Sequence, residues 1–384
     1  MARNRVIYQS EALFVSRSAN STSNGNHTQL NRVQSANFSY TINKQDINQF
    51  GELARIDSIV LDPPTVNTDF SYYLTDGFNE QALGFYVKTG ASASGQFVSG
   101  HMVGSSGKNI FVLTGPEGKD VNGRATTGTA ATNDKCIGIG NCYLSDYSVD
   151  LSVGAIPTVS VTMEGANING VIVTTGADGF GSIATPAIDQ EAGTKLSDSV
   201  ALENPASAGR AGMPSALRPG DITVSLTSLD SQSLVDLDGA GNAHVQSVAL
   251  SVPLSRTPLQ RLGSNFPFAR EVDFPVEVSL SISAVVNETT AYNLADQLQQ
   301  GEQEVNITIV DPDDSPNNAV IYTVKGCKVD SESFSSAIGS NQTVDITLTA
   351  QIGGIDDTNA GLFMSGSNTV DRTGFNQGFD DGAR

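Results

Sequence analysis

Apolar and polar residues alternate strictly over several short segments of the chain. Val159, Val161 and Met163 are separated by polar residues, and Val344 and Ile346 begin a second segment of the same kind. Because successive side chains of a β-strand point to opposite faces, a period of two predicts strands with one apolar face. Gly, Pro, Ser, Thr and Asn separate these segments and favour turns. The pattern therefore predicts an all-β fold.

A helical period is confined to two short segments. Residues 288–299 (ETTAYNLADQLQ) offer Tyr292, Leu294 and Leu298 as core contacts, and the segment that starts at Asn79 (NEQALGFYV) is a less regular counterpart. Long helices are not expected, because the chain contains 38 Gly and 14 Pro. We therefore predict short helices that flank the sheets.

Three blocks of sequence recur later in the chain in the same order. Residues 32–51 match residues 244–263 at a constant offset of 212, and residues 142–164 match residues 327–349 at an offset of 185. Between them, residues 66–74 match residues 276–284, so that the offset falls to 210. Collinear blocks are typical of an internal duplication.

The repeat predicts two tandem β-modules with a linker and two terminal arms. The first module carries an insertion in loops rich in Gly, Ser and Thr. We predict an N-terminal arm over residues 1–30, a first module over 31–170, a connecting segment over 171–219, a second module over 220–354 and a C-terminal arm over 355–384.

The net charge of the chain limits the classes of function that are expected. The 384 residues carry 41 acidic and 21 basic side chains, a net charge of −20. A protein that holds nucleic acid by neutralising phosphates needs clustered Lys and Arg, so this mode of binding is not expected. Acidic residues that line a pore would instead repel nucleic acid and keep it from adhering. The simpler alternative is that the acidity only confers solubility.

Neither membrane insertion nor disulfide bonding is indicated. No stretch approaches the roughly 20 apolar residues of a membrane-spanning helix, and the first residues do not resemble a signal peptide. We therefore expect synthesis in the cytoplasm. Cys136, Cys142 and Cys327 are an odd number without the spacing of a zinc site, and we expect them to be small buried or semi-buried residues without a disulfide framework.

No constellation of residues indicates an enzyme. His27, His101 and His244 lie in polar or loop-like settings without the spacing of a metal site or a catalytic triad. The segment DLDGAGN at Asp236 lacks the glycine position and the final Glu of a calcium loop, so a turn is the simpler interpretation. Paired carboxylates of the glycosidase kind would need an aromatic sugar platform, yet the chain has no Trp. We expect no catalytic residue, no metal site and no cofactor.

Three segments together resemble the tail tube (major tail) proteins of long-tailed bacteriophages. They are NRVIYQSEALFVS, VQSANFSYTINKQDINQFGELARIDSIVLDPPTVNTDFSYYL and CYLSDYSVDLSVGAIPTVSVTMEG. The resemblance implies that each module is a β-sandwich or half-barrel that neighbours complete, and that six modules close one large β-barrel ring. Open sheet edges invite pairing with other chains, and closure of the ring would remove these edges.

For a chain with two modules, the resemblance implies a trimeric ring with pseudo-sixfold symmetry. Stacked rings would form a helical tube with an acidic channel for DNA passage into the host. One alternative is a ring of six chains in which the second module is decoration. Others are a baseplate ring, a capsid decoration protein and a surface adhesin of tandem β-domains.

The same resemblance implies the partners and the location. The chain would contact itself within and between rings, and it would also contact tape measure, tail terminator and baseplate proteins. A contractile tail would add a sheath protein. Genomic DNA would pass without specific binding, and the mature protein would reside in the virion tail.

Two links and two strands are candidate assembly sites. The link from Asn43 to Asp62 and its counterpart from Ser255 to Asp273 mix charged with apolar residues, as a segment that docks on another subunit would; the alternative is a loop that folds back on its own barrel. Candidates for ring stacking are Asp46, Phe50, Glu52, Leu53, Arg55, Asp57, Arg256, Arg261 and Arg270. Alternate polar strand positions would face the lumen if apolar positions face outward. Candidates are Asn67, Asp69, Ser71, Glu277, Ser279 and Ser281.

Overall fold

The structure is a computed structural model of the chain. It describes residues 11–19, 27–89, 95–103, 107–115, 121, 135–172, 174–175, 181–202, 217–218, 220, 222–225, 244–285, 302–310, 318–336 and 341–367. The helix predicted over residues 288–299 lies outside these ranges, as do large parts of both predicted arms and of the connecting segment.

The described residues form 25 strands and two short helices. The first twelve strands are β1 (Glu11–Ser16), β2 (His27–Gln29), β3 (Val33–Thr41), β4 (Lys44–Ile47), β5 (Asp57–Val60), β6 (Thr65–Tyr73), β7 (Lys88–Thr89), β8 (Lys108–Thr114), β9 (Lys135–Ser152), β10 (Thr158–Gly165), β11 (Asn167–Ile172) and β12 (Thr174–Thr175). The remainder are β13 (Gly181–Ala184), β14 (Ile188–Asp189), β15 (Thr194–Lys195), β16 (Ser199–Leu202), β17 (Ile222–Ser225), β18 (His244–Pro253), β19 (Arg256–Leu259), β20 (Ala269–Val272), β21 (Glu277–Val285), β22 (Gln303–Val310), β23 (Asn318–Ser335), β24 (Thr343–Gln351) and β25 (Gly361–Gly366). The helices are α1 (Phe78–Leu83) and α2 (Ser99–Val103). The prediction of a β-protein with few helical residues is confirmed.

Eight antiparallel strands form one continuous sheet. Their order is β3, β6, β10, β9, β18, β21, β24 and β23. The alternation in the sequence explains why the sheet has two different faces: in β10, Val159, Val161 and Met163 are buried while the residues between them are not. Burial of each such side chain contributes about 1.5–3 kcal/mol, so a register slip of one residue would be strongly unfavourable.

The sheet consists of two strand sets with the same order and register. The first strand set is β3, β6, β10 and β9, and the second strand set is β18, β21, β24 and β23. Val33 pairs with Tyr72 in the first set and Val245 with Ala284 in the second, which is an offset of 212 for both partners. An irregularity in register follows each of these pairs at equivalent positions.

The closing strands also have equivalent registers. Thr158 pairs with Asp150 in the first set, and Thr343 pairs with Ser335 in the second, an offset of 185 for both partners. The offsets of 212 and 185 residues equal those between the copies of the first and third sequence blocks. The offset of 210 predicted for the middle block is wrong, and the strand pairing corrects it.

The corrected offset of the middle block is 212. Ser39 pairs with Asn67 in the first set, and Ser251 pairs with Ser279 in the second. Val66 therefore corresponds to Val278, and not to Val276. The error of two residues preserved the apolar face, which is why the alternation could not reveal it.

Two strands of 18 residues connect this sheet to a second layer. The first half of β9 pairs with β8 and β11, and its second half pairs with β10 and β18. The first half of β23 pairs in the same way with β22 and β25. Side chains from both layers form one apolar core, with Leu13 and Ile307 from the second layer beside Phe70 and Leu280 from the sheet.

A buried polar cluster lies within this core and joins the two strand sets. Tyr72 of β6 donates a hydrogen bond to Oε1 of Glu80 in α1 at 2.8 Å, and Tyr147 of β9 lies 3.3 Å from the same oxygen. The hydroxyl groups of Tyr147 and Tyr322 of β23 are 2.9 Å apart. Burial raises the pKa of Glu80 from 4.5 to about 7, because an ionised carboxylate loses its hydration there. Below about pH 7 the carboxyl group is therefore mainly neutral.

We expect the stability of the protein to fall as the pH rises from about 5 to 8, and Glu80→Gln to remove this fall. The unfolded chain ionises Glu80 near pH 4.5, whereas the folded chain keeps the proton until about pH 7. The folded state thus binds more protons in this window, and raising the pH favours unfolding by up to about 3 kcal/mol. Denaturant titrations at several pH values measure the effect. Parallel profiles for wild type and variant would contradict it.

Candidate assembly interface

The solvent-exposed face of the eight-stranded sheet is polar across its full width. One row of paired residues crosses all eight strands. In order from β3 to β23, its members are Ser35, Ser71, Ser160, Ser148, Ser251, Ser279, Thr349 and Lys328. Short hydroxyl side chains dominate this row.

The six lumen candidates all lie on this polar face. Asn67, Asp69 and Ser71 alternate with buried residues of β6, and Glu277, Ser279 and Ser281 do the same in β21. Asp69 accepts a hydrogen bond from Asn37 Nδ2 at 2.8 Å, and the hydroxyl groups of Ser35 and Ser71 are 2.7 Å apart. The strand pairing places further carboxylates on the same face. They are Asp146, Asp150 and Asp345.

One edge of the sheet is an unpaired strand with exposed apolar side chains. Among the described residues, β3 pairs with β6 on one side and with no strand on the other. It is nine residues long and carries neither a charged residue nor a proline, the usual devices that protect an edge. Phe38 and Tyr40 remain exposed, at 41% and 60%. Their counterparts in β18, Leu250 and Val252, are buried.

The opposite edge is the second half of β23. Lys328–Ser335 pairs with β24, and no described strand pairs with its other side. Phe334 lies opposite the buried Val344 and is 47% exposed. Its counterpart in β9 is Val149, which is 1% exposed because β18 covers it. The two edges therefore expose the residue types that the interior of the sheet buries.

The pairing of β9 with β18, which we call the seam, joins the two strand sets. It runs from Ser247 opposite Ser152 to Pro253 opposite Asp146. Leu250 lies opposite Val149, and both are buried. The seam shows how the last strand of one set accepts the first strand of another.

The first hairpin consists of β4, β5 and the turn between them. It carries all of the stacking candidates from the first link. Phe50 and Leu53 at its tip are fully exposed, while Asp46 and Arg55 form an exposed ion pair at 2.9 Å. Glu52 and Asp57 are also exposed. Apolar side chains in a charged surround are typical of a protein contact surface.

The second hairpin, β19 and β20, has an equivalent turn but is anchored within the chain. Gly51 and Gly263 have φ values of 95° and 89°, so each turn uses the left-handed conformation that glycine allows. The side chain of Arg256 donates hydrogen bonds to the carbonyl oxygens of His101 and Leu144, at 2.9 and 3.3 Å. The corresponding residue of the first hairpin is Lys44, which is exposed.

A second arginine strengthens this anchor. Arg270 is buried, and its Nη1 lies 2.8 Å from Oε2 of Glu164 in β10. Its guanidinium group also lies 5.9 Å from the ring centre of Tyr143. Ser58 occupies the equivalent place in the first hairpin. Arg256 and Arg270 thus differ from the other stacking candidates, because their charged groups face the chain's own first strand set. Arg261, by contrast, lies over the ring of Phe268 in the second hairpin, 5.9 Å from the ring centre.

Sequence reasoning missed the most informative residues of this interface. Phe38, Tyr40 and Phe334 were not among the predicted assembly residues, because nothing in their alternation distinguishes an edge from an interior strand. Glu80 was also missed, because it stands between Asn79 and Gln81 and three consecutive polar residues do not predict burial.

Several other properties of the described residues bear on function. All three cysteines are free and buried, as predicted. No group of three or more His, Cys, Asp or Glu side chains in the described part could hold a metal ion. No described helix is long and apolar enough to cross a membrane.

Comparisons with known proteins give little further guidance. No protein-family model and no curated protein matches the chain. Among solved structures, one similar chain comes from a structure described as the virion of a native gene transfer agent (GTA) particle. The two share 12% sequence identity and a TM-score of 0.24, over 36% of this chain and 97% of the other. A likeness at this level carries no conclusion about the present chain.

We expect Arg270→Ala to lower the free energy of unfolding by about 2 kcal/mol. The substitution removes a buried charge that holds the second hairpin, and solvent access to Glu164 moderates the loss. Arg55→Ala is the matched control: its ion pair is exposed, so its loss changes stability by less than about 0.5 kcal/mol. Urea titration of both variants in dilute solution measures the difference. Equal effects would show that Arg270 is not an anchor.

Proposed function

We propose that the chain is the structural subunit of a bacteriophage tail tube. Its two strand sets derive from an internal duplication, and three copies form a ring with pseudo-sixfold symmetry. Rings stack into a tube whose channel passes DNA from the virion into the host. The observation that supports this most directly is the continuous eight-stranded sheet, which has two open edges and an internal seam of the kind that would close them.

The strand count favours three chains over six. Three copies of eight strands give a barrel of 24 strands, roughly 50 Å across between opposite backbones at a strand spacing of about 4.8 Å and a tilt of about 40°. Such a barrel leaves room for a nucleic-acid duplex. The alternative of six chains with a decorative second module fits less well, since the seam incorporates both strand sets into one sheet.

The polar face supplies the expected channel lining. Asp69, Asp150, Asp345 and Glu277 are exposed on it, and Lys328 is the basic residue of the row that crosses it. Carboxylates that face DNA repel its phosphates, so the polymer slides without adhering. This arrangement needs no catalytic group and no cofactor.

The first hairpin supplies the expected stacking contact. It is not held by arginines comparable to Arg256 and Arg270, and its tip exposes Phe50 and Leu53. A head-to-tail contact between rings does not close on itself and therefore yields a filament. Tape measure, terminator and baseplate proteins would limit its length, and a sheath protein would surround it in a contractile tail. The subunit would be made in the host cytoplasm and reside in the virion tail.

Electron microscopy of the purified protein tests this proposal. Negative-stain images at increasing concentration should show hollow rods of uniform width. The double variant Phe50→Ser/Leu53→Ser should give rings without rods, because it removes the apolar tip but not the sheet edges. Thr257→Ser in the second hairpin is the control and should form rods. Isolated globules at all concentrations would contradict the proposal, and wild-type rings that never stack would indicate a baseplate-type ring instead.

A further inference from the structure

The seam provides a template for contact between two copies of the chain. In the seam, the first strand of the second set pairs with the last strand of the first set. Among the described strands, the free edges of the sheet are the first strand of the first set, β3, and the last strand of the second set, β23. Each free edge is thus equivalent to one partner of a contact that is already formed once within the chain.

The register of the seam can be applied to the two free edges by means of the offsets between the strand sets. β3 precedes β18 by 212 residues, and β23 follows β9 by 185 residues, as the strand pairs establish. Leu250 opposite Val149 becomes Phe38 opposite Phe334. Ser251 opposite Ser148 becomes Ser39 opposite Ser333.

We propose that β3 of one copy pairs antiparallel with Lys328–Ser335 of a second copy, in the register that sets Phe38 opposite Phe334 and Ser39 opposite Ser333. The closure of several such contacts into a ring rests on the proposed function, whereas the register of each contact follows from the seam alone. It names a second copy of this chain as the occupant of both edges.

The chemistry of both faces agrees with this register. On the polar face, Ser39 meets Ser333 and Asn37 meets Ser335, so hydroxyl and amide groups continue the polar rows of the sheet. On the apolar face, Phe38 and Phe334 are both exposed at their edges, and the pairing would bury them against each other. Aromatic cross-strand pairs stabilise antiparallel sheets in addition to the backbone hydrogen bonds. A slip of one residue would place both phenylalanines opposite polar residues.

The register also predicts contacts at the ends of the edge. Tyr40 would lie opposite Glu332, as Val252 lies opposite Tyr147 in the seam. The amide of Ile42 would donate to the carbonyl oxygen of Asp330, as Leu254 donates to Ser145 at 2.8 Å. The contact therefore extends along the free half of β23 from Ser335 to Asp330.

Engineered disulfides test this register between copies. One preparation carries Ser39→Cys, another carries Ser333→Cys, and the two are mixed, assembled at high concentration and oxidised. Directly opposite residues lie within the Cα separation that a disulfide allows. The native cysteines do not compete, because burial raises the pKa of each thiol to about 12. We expect covalent dimers in the mixture at a yield at least tenfold above that of either preparation alone.

A shifted pair provides the matched control. Mixing Ser39→Cys with Ser335→Cys keeps the same face but moves the partner by two residues, and it should give at least tenfold fewer dimers. Circular dichroism confirms that each variant is folded. Assembled material without the Ser39–Ser333 crosslink, or equal crosslinking by the shifted pair, would overturn the register.

A chain with both substitutions separates this inference from the proposed function. Oxidation should give covalent species of up to three chains and no larger, since the third crosslink closes the ring. A different upper limit would contradict the trimer but would leave the pairing supported. Crosslinked rings that never form rods would contradict the tube in the same way.

Discussion

Within the part of the chain that the structure describes, the unpaired backbone groups of two strand edges are the constraint on which the other features depend. Every second amide and carbonyl of β3 points away from β6, and the free half of β23 has the same arrangement. Edges of this length are normally protected by charge, proline or a covering loop. Here β3 exposes Phe38 and Tyr40 instead. A sheet built in this way keeps backbone groups at both edges with which a further strand can pair.

The seam shows that the two edges match each other in strand position and register, in addition to exposing apolar side chains. Both strand sets have the same order, register and irregularities, so the last strand of either set presents equivalent groups to an incoming first strand. The two hairpins then diverge in role. Arginines at positions 256 and 270 fix the second hairpin to the chain's own first set, while Lys44 and Ser58 leave the first hairpin without such an anchor. The same repeat thus yields one internal contact and one contact surface that remains available.

The sequence allowed the sheet to be predicted better than its surroundings. The alternation at Val159 and Val344 established strands and their buried faces, and the recurrence of the outer blocks established equivalent positions. The middle block was misaligned by two residues because an even shift changes no face. The passage of β9 into a second layer was not predicted, since a strand that changes partners midway keeps one uninterrupted pattern. The exposure of Phe38 could not be predicted from the sequence either. Its counterpart Leu250 lies in the same apolar and polar pattern, and the two differ only because β18 pairs with β9 on the side where β3 has no described neighbour.

Hydrogen exchange along β3 tests the central claim most directly. In dilute protein the amides of Val33–Thr41 that point away from β6 should exchange rapidly, and in assembled protein they should become protected. Amides of β18 at the seam should be protected in both states and serve as the internal reference. If β3 exchanges at the same rate in dilute and assembled protein while the seam remains protected, its edge is not covered by a second copy, and the proposed pairing between copies is wrong.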